Sequence, residues 1–293
     1  MVSLLKIGSM NKSNFKIVFF GTPDFAMPVL ESLTQAGYIV SHFKSKSPKD
    51  DAVFDEFKKL NPDLCVVAAY GKILPARYLD VPKYGFLNVH PSLLPKYRGP
   101  SPIQTTILNG DKKTGVSIMM IDAEVDHGPI LTQQEFPIPE FRFSNHDELA
   151  KELFELGAKL LIETLPKYIA GKLKPKEQDH SQATFTKMFK REDGRINWSE
   201  SGEKIYAQIR ALNPEPGTWT TWKSKVINIY NITTFSVVSP QAPGTIKKID
   251  NKIAVATSKG YLDLITVQLE GGKKMDAKSF VNGHPDFVDS QLE

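Results

Sequence analysis

The sequence lacks several features on which whole classes of protein depend. Its 293 residues include one cysteine, Cys65, which excludes an internal disulfide and any zinc cluster built on cysteines. Cys65 stands in the apolar run LCVVAAY, where a buried and unreactive thiol is expected. No apolar run is long enough to cross a bilayer, and residues 1–9 are too short and too weakly apolar for a secretory signal. We therefore expect a cytoplasmic protein without a membrane partner, in which residues 1–13 form a tail with Met10 as a second candidate start.

A dinucleotide fingerprint and a strong charge of one sign are also missing. The first apolar run ends in GTPDF at residues 21–25 instead of GxGxxG, which argues against dinucleotide binding. Gly21 there allows a turn, and Thr22 or Asp24 can cap the helix that follows. The net charge is only +4, and residues 184–293 carry 15 Lys and Arg against 12 Asp and Glu. The mild basic excess of the C-terminal part is compatible with nucleic-acid contact.

Alternating strands and helices dominate the first half of the chain. Apolar runs predict strands at 15–21, 38–43, 63–69, 85–89, 116–121 and 130–136. Amphipathic stretches predict helices at 22–37, 51–60 and 145–170. This alternation is typical of an α/β fold with a doubly wound, mostly parallel, Rossmann-like sheet. Ligands bind such sheets outside the carboxyl ends of the strands, so we expect the chemistry in the loops after Phe20, Ala69 and Val89.

Closely spaced short strands follow a predicted helix at 203–212. They are expected at 217–222, 225–230, 244–249, 253–256 and 261–268, a spacing that indicates a small, OB-like β-barrel. Because 293 residues are more than one core needs, we expect two domains. The predicted boundaries are a catalytic domain over 14–188, a linker over 189–203 and a C-terminal β-barrel over 204–293.

Two polar motifs are candidates for chemistry. In NVHPSLLPKYRG, residues 88–99, Asn88 and His90 lie two positions apart and therefore project from the same side of a strand. Such a pair suits a general acid or base beside an oxyanion donor, although a structural histidine is the alternative. In DAEVDHGPIL, residues 122–131, Asp126 would complete an Asp–His–Asn set if it lay next to His90. Sequence spacing leaves open whether they meet.

Together these motifs resemble the catalytic signature of the 10-formyltetrahydrofolate-dependent formyltransferases. The resemblance implies that Asn88, His90 and Asp126 are catalytic, that 10-formyltetrahydrofolate is the formyl donor, and that no metal takes part. It also implies that the reduced folate is held by two segments, whose residues are Ser92, Leu93, Leu94 and Pro95, and Ala69, Tyr70, Gly71, Ile73 and Leu74. The apolar run Ser92–Pro95 also suits a flat aromatic ligand held through main-chain groups.

Five further segments resemble the branch of this family that formylates the α-amine of methionine on initiator tRNA. They are FFGTPDFA, DGRINW, NPEPGTWTTW, PGTI and LEGGKKMDAKSFVNG. The resemblance implies initiator methionyl-tRNA as the second substrate, a role in translation initiation, and a monomeric enzyme. It further implies tRNA contacts at Arg98, Lys273 and Lys274, because a lysine pair suits a phosphate backbone. The alternative for the two lysines is a solvated turn.

Three other functions are alternatives to this one. Sugar-nucleotide N-formyltransferases share the catalytic domain and a related C-terminal domain, so they are the main enzymatic alternative. Glycinamide ribonucleotide formyltransferases share the Asn–His–Asp site but normally lack a C-terminal barrel. A catalytically silent RNA-binding protein on the same scaffold is the non-enzymatic alternative, against which the intact Asn88, His90 and Asp126 argue.

One passage departs from the family pattern. SHFKSKSPKDD joins the second strand directly to the helix at 51–60. The family usually carries a longer passage here, with a basic loop, a helix and another strand, so about one strand–helix–strand unit of ~30 residues is absent. The resemblance implies that the basic loop contacts the acceptor end of the tRNA. We expect part of the natural chain to be absent here, with a chain break between Phe43 and Ser47; a natural short form is the alternative.

Overall fold

A computed structural model describes residues 12–44, 47–139, 145–235 and 240–293. The chain divides into two compact units. The first comprises most of the chain up to Thr186, and the second comprises Lys187–Glu293 together with Ile103–Lys112 and the described part of Pro139–Leu149. The finer boundaries predicted at 14–188, 189–203 and 204–293 stay predictions. No helix within the described ranges combines the length and the apolarity needed to span a bilayer.

The first unit is built on a six-stranded sheet. Its strands are β1 Lys16–Phe20, β2 Ile39–His42, β3 Leu64–Val67, β4 Phe86–His90, β5 Lys113–Met120 and β6 Ile130–Pro137. Their spatial order is β2-β1-β3-β4-β5-β6; the first four are parallel, and β5 and β6 run antiparallel to their neighbours. The predicted doubly wound, mostly parallel sheet is therefore confirmed.

Helices alternate with these strands along the chain. They are α1 Met27–Gln35, α2 Asp51–Lys59, α3 Ala76–Leu79, α4 Pro102–Leu108 and α5 His146–Ile169. One side of the sheet is filled by aromatic rings, in which the fully buried Phe57 of α2 lies 5.8 Å from Phe20 and 6.2 Å from Phe86, ring centre to ring centre. Burial of apolar strands on both faces is what a parallel sheet requires. Sequence periodicity located α1, α2 and α5 but not the short helices α3 and α4.

Among the described residues, strand β2 stands at one edge of the sheet and pairs with β1 alone. The join between β2 and α2 is where the sequence departs from the family pattern. The predicted chain break falls on residues 45 and 46, which lie outside the described residues. The described backbone on either side runs to Lys44 and begins again at Ser47.

The second unit is built on a curled antiparallel sheet. Its strands are β7 Trp219–Trp222, β8 Lys225–Phe235, β9 Ile246–Ile249, β10 Lys252–Thr257, β11 Gly260–Leu269 and β12 Met275–Asp276, with helices α6 Gly202–Leu212 and α7 Ala277–Gly283. The order is β7-β8-β11-β10-β9, with β12 beside β11. Short 3-10 helices complete the chain at Lys12–Asn14, Asp24–Ala26, His180–Gln182, Arg191–Gly194 and Pro285–Phe287.

The last five residues bridge the two edge strands of this sheet. Thr221 of β7 and Glu293 exchange two backbone hydrogen bonds of 3.0 Å. On the other side, Ile246 of β9 donates to Ser290 at 3.0 Å and accepts from Asp289 at 2.9 Å. Edge strands left unpaired invite association with other chains, so this tail protects both edges. The predicted small barrel is thus a half-barrel whose edges are linked by a segment without strand periodicity.

Candidate active site

Strand β4 delivers two polar side chains to the carboxyl edge of the parallel sheet. Asn88 and His90 project from the same side of it, and the loop after β5 brings Asp126 against both. The Asn88 amide Nδ2 donates to Asp126 Oδ1 at 3.2 Å, and His90 Nδ1 lies 3.5 Å from the same oxygen. The structure therefore brings together the three side chains that the sequence singled out from segments 36 residues apart.

His90 is enclosed by oxygen acceptors. Its side chain is 3% exposed, and its second ring nitrogen, Nε2, lies 3.1 Å from the main-chain oxygen of Tyr97. A neutral imidazole has one N–H and the imidazolium has two, so the protonated ring is the form that can donate both to Tyr97 and to Asp126. A cation held in this way can stabilise negative charge that develops beside it.

The Asp126 carboxylate is fixed by its backbone and by a main-chain donor. Asp126 has a φ of 49°, a left-handed conformation that Asp adopts more readily than most residues. The N–H of Gly99 donates to Asp126 Oδ2 at 2.8 Å. A side chain at Gly99 would be strained, because its φ is +109° and a Cβ would lie 2.9 Å from Thr186 Oγ1. One carboxylate oxygen therefore faces Gly99 while the other faces Asn88 and His90.

The loop Ser92–Pro95 is held tightly from behind. The Ser117 hydroxyl donates to the Ser92 oxygen at 2.6 Å and accepts from the Leu94 N–H at 3.1 Å. Gln133 Nε2 donates to the Leu94 oxygen at 2.8 Å. Ser117 and Gln133 thus occupy the Leu94 N–H and one of the two lone pairs of the Leu94 oxygen, which fixes the backbone of this loop. The folate-binding roles of Ser92, Leu93, Leu94 and Pro95 stay predictions.

The second predicted folate segment follows the neighbouring strand β3. Because β3 and β4 are parallel and adjacent, residues 69–74 emerge at the same edge as residues 92–95. Ala69 and Gly71 have positive φ values of 49° and 71°, Tyr70 is buried, and Ile73 is 79% exposed. An exposed large apolar side chain at the carboxyl edge of the sheet is suited to covering a flat ligand. The folate-binding roles of Ala69, Tyr70, Gly71, Ile73 and Leu74 stay predictions.

The residues implied in tRNA contact differ sharply in exposure. Lys273 and Lys274 are exposed, and the Lys274 ammonium lies 4.1 Å from the centre of the Tyr230 ring. Arg98, by contrast, is 3% exposed, and its guanidinium donates to Gln178 and His180 inside the first unit. The tRNA contact implied for Arg98 is therefore corrected, because a buried guanidinium engaged in this way offers no surface to a phosphate.

Sequence reasoning missed the segment that borders this site on its other side. Residues 176–186 were interpreted as part of a polar crossing between domains, yet Thr184 and Thr186 pair with the Arg98 main chain, and Gln178 contacts the Asp126 loop. Polar residues in an aperiodic run give no signal of such a role.

Cys65 is buried as expected, and burial raises the pKa of its thiol well above the ordinary value, which makes the thiolate scarce. Within the described ranges, no cluster of three or more His, Cys, Asp or Glu side chains could hold a metal ion.

A parallel sheet that presents a linked amide, imidazole and carboxylate at its carboxyl edge is typical of an α/β enzyme with an acid–base site. The sequence profile described as "Formyl transferase" matches residues 15–165, and the profile described as "Formyl transferase, C-terminal domain" matches residues 188–285. This chain belongs to the formyltransferase family.

Individual relatives match over nearly all of the chain. It is 42% identical over 264 residues to the methionyl-tRNA formyltransferase of Roseiflexus castenholzii, covering 90% of this chain and 83% of the relative. It is 38% identical over 298 residues to the methionyl-tRNA formyltransferase of Thermodesulfovibrio yellowstonii, covering 91% of this chain and 95% of the relative. The crystal structure of HypX from Aquifex aeolicus in complex with tetrahydrofolic acid shares the fold, with a TM-score of 0.75 at 17% identity over 94% of this chain and 48% of that one.

Proposed function

We propose that this protein transfers the formyl group of 10-formyltetrahydrofolate to the α-amine of methionine carried by initiator tRNA. The observation that carries the proposal is the contact of one Asp126 oxygen with both Asn88 and His90. The two relatives described above support the tRNA substrate, because both are methionyl-tRNA formyltransferases and align over about nine tenths of this chain.

The proposed donor fits the carboxyl edge of the sheet. Exposed Ile73 offers apolar surface there, and the half-buried Leu93 lies on the neighbouring loop. When bound, the folate supplies an electrophilic formyl carbon. The residues that would hold it are those of the two loops, 69–74 and 92–95.

In the proposed mechanism, donors stabilise charge and a carboxylate organises them. Asn88 and protonated His90 bind the negative charge that develops on the formyl oxygen when the amine attacks. Asp126 fixes both donors and balances the charge of the imidazolium. Protonated His90 gives its proton to the departing nitrogen, and the Asp126 carboxylate accepts the proton that the attacking amine releases and passes it on to His90. This scheme forms no covalent bond between the chain and the formyl group.

The function is tested by offering two amines to the same purified protein with 10-formyltetrahydrofolate. We expect rapid formylation of methionyl initiator tRNA and little or none of a nucleotide-linked amino sugar, measured by acid-stable incorporation of labelled formyl. Preference for the amino sugar would establish the sugar-nucleotide alternative. Formylation of neither substrate, with tRNA binding retained, would establish the silent RNA-binding protein.

The lysine pair of the second unit gives a separate prediction. Replacing Lys273 and Lys274 together by Ala is expected to weaken tRNA binding and to leave folate affinity unchanged. If both ammonium groups contact phosphates, the slope of log K against log salt should shrink by about 0.7–0.9 per lysine. The measurement is a titration of tRNA binding at several salt concentrations.

A matched control for this pair exists in the first unit. Lys58 and Lys59 are also adjacent and exposed on α2, so their replacement by Ala changes the net charge equally. We expect this control to leave the salt slope as it is. Equal slopes for the wild type and the Lys273/Lys274 variant would identify the two lysines as a solvated turn.

A further inference from the structure

Gln178 is buried beside the active site, although it belongs to none of the motifs described above. Its side chain is 6% exposed and makes four hydrogen bonds. The amide Nε2 donates to the main-chain oxygens of Asp126 at 2.9 Å and Gly128 at 2.7 Å. The amide Oε1 accepts from Arg98 Nε at 3.2 Å and from Arg98 Nη2 at 2.8 Å. Both N–H groups and both lone pairs of the amide are therefore in use.

The surroundings leave this amide only one orientation. A guanidinium has donors and no acceptor, so the atom that faces Arg98 must be the oxygen. Main-chain carbonyls accept only, so the atom that faces Asp126 and Gly128 must be the nitrogen. A carboxylate in this place would repel the two carbonyls, and an apolar side chain would leave them without a donor. Of the common side chains of this length, only glutamine satisfies both sides.

The guanidinium of Arg98 is itself fixed in place, so that it can orient the Gln178 amide. In the part of the chain that the structure describes, Arg98 forms no ion pair, and its third contact is His180 Nδ1 at 2.8 Å from Nη2. Because a buried cation is destabilising unless hydrogen bonds satisfy it, the guanidinium has a strong preference for these acceptors. Its main chain is fixed as well, since its N–H donates to Thr184 at 2.9 Å and its oxygen accepts from Thr186 at 2.8 Å.

Gln178 contacts Asp126, whose carboxylate must be placed accurately for the proposed formyl transfer. Asp126 has its left-handed φ of 49°, and Gln178 clamps the chain on both sides of His127, through Asp126 and Gly128. We propose that Gln178 is the positioning residue for Asp126: it sets the backbone from which the carboxylate reaches Asn88, His90 and Gly99. This inference rests on the proposed function, because it assigns Gln178 a part in the same reaction.

The test is Gln178→Glu, which keeps the size of the side chain and its bond to Arg98 but removes both donors to the Asp126 loop. We expect kcat for formyl transfer to fall by roughly 10²-fold, the loss that misplacement by about 1 Å can produce, with little change in KM. Gln182→Glu, an exposed position in the same segment, is the matched control and should keep the wild-type kcat. If Gln178→Glu fails to fold, Gln178→Met removes the donors without adding charge.

A double-mutant cycle separates positioning from a loss of stability. In an Asp126→Ala background, Gln178→Glu should lower kcat by less than about twofold, because its effect acts through the carboxylate already removed. If the two replacements instead lowered kcat by factors that multiply in the double variant, the proposal would be overturned, since Gln178 would then act independently of Asp126.

A substrate-free measurement keeps failure of this inference distinct from failure of the proposed function. The Gly99 N–H reports on the Asp126 carboxylate through their 2.8 Å hydrogen bond. Its hydrogen exchange, followed by NMR, should become about tenfold faster or more in Gln178→Glu, the effect of losing a bond to a charged group, and stay unchanged in Gln182→Glu. Unchanged exchange in Gln178→Glu would overturn the positioning role. Faster exchange in a wild-type fold that transfers no formyl group would instead uphold the positioning and refute the proposed function.

Discussion

Replacing His90 or Asp126 by Ala is expected to lower kcat for formyl transfer by roughly 10²–10⁴-fold, the range for loss of an acid–base group. His90 is nearly inaccessible and has an oxygen acceptor at each ring nitrogen. Removing Asp126 leaves the imidazole without its counter-charge and leaves the Gly99 N–H without its acceptor. Folate affinity should change little, because neither side chain belongs to the loops proposed to hold the donor.

The measurement is kcat at saturating concentrations of both substrates, with thermal unfolding recorded for each variant. His146 and Asp147 provide a matched control, because they are also a histidine and an aspartate in hydrogen-bond contact, at 2.8 Å, but lie at the start of α5. Replacing either by Ala should leave kcat unchanged. A variant at His90 or Asp126 that keeps near-wild-type turnover would rule out the acid–base assignment.

The parallel sheet was predictable from sequence because its inner strands are buried on both faces. IVFF of β1 and LCVV of β3 are continuous apolar runs, which are typical of strands covered on both faces. The stop signals were informative too: Gly37, with a φ of +88°, follows α1 as a helix-ending glycine should. The motif around Asn88 and His90 could be placed at the carboxyl edge for the same reason, since that edge follows from strand direction alone.

Contacts between distant segments could not be predicted in this way. Gln178 lies 52 residues from Asp126 in sequence, within a polar run that has no periodicity. The family resemblance implied a tRNA contact at Arg98, and only the fold shows that Gln178 and His180 accept hydrogen bonds from its guanidinium. The tail that bridges β7 and β9 escaped prediction because it pairs through backbone groups, which every sequence supplies equally.

The absence of a passage near residue 45 stays a prediction, and alignment length bears only on the size of what would be absent. The comparison with the Thermodesulfovibrio yellowstonii relative runs over 298 positions while covering 91% of these 293 residues, so about 30 positions of the relative have no partner in this chain. That length equals one strand–helix–strand unit of ~30 residues. Strand β2 is an edge strand here, the position at which the loss of such a unit leaves the remaining order intact.

Replacing Asn88 by Ala is expected to lower kcat by about 10²–10³-fold, the effect of losing one oxyanion donor. The Asn88 amide has two N–H groups, and one of them donates to Asp126 Oδ1 at 3.2 Å. That bond orients the amide, so that the second N–H can bind the charge that develops on the formyl oxygen. Such a donor contributes in the transition state more than in the bound substrate, so kcat should fall while KM changes little.

Two roles for Asn88 can be separated by repeating the replacement in the Asp126→Ala background. If Asn88 served only to orient Asp126, its loss would have almost no effect once the carboxylate is gone. If it binds the oxyanion directly, Asn88→Ala should still lower the residual kcat by at least about tenfold. We expect the second result, measured in single-turnover reactions so that the slow variants remain quantifiable. Asn197→Ala, a second asparagine, which accepts a local hydrogen bond from Ser199, is the matched control and should leave both rates unchanged.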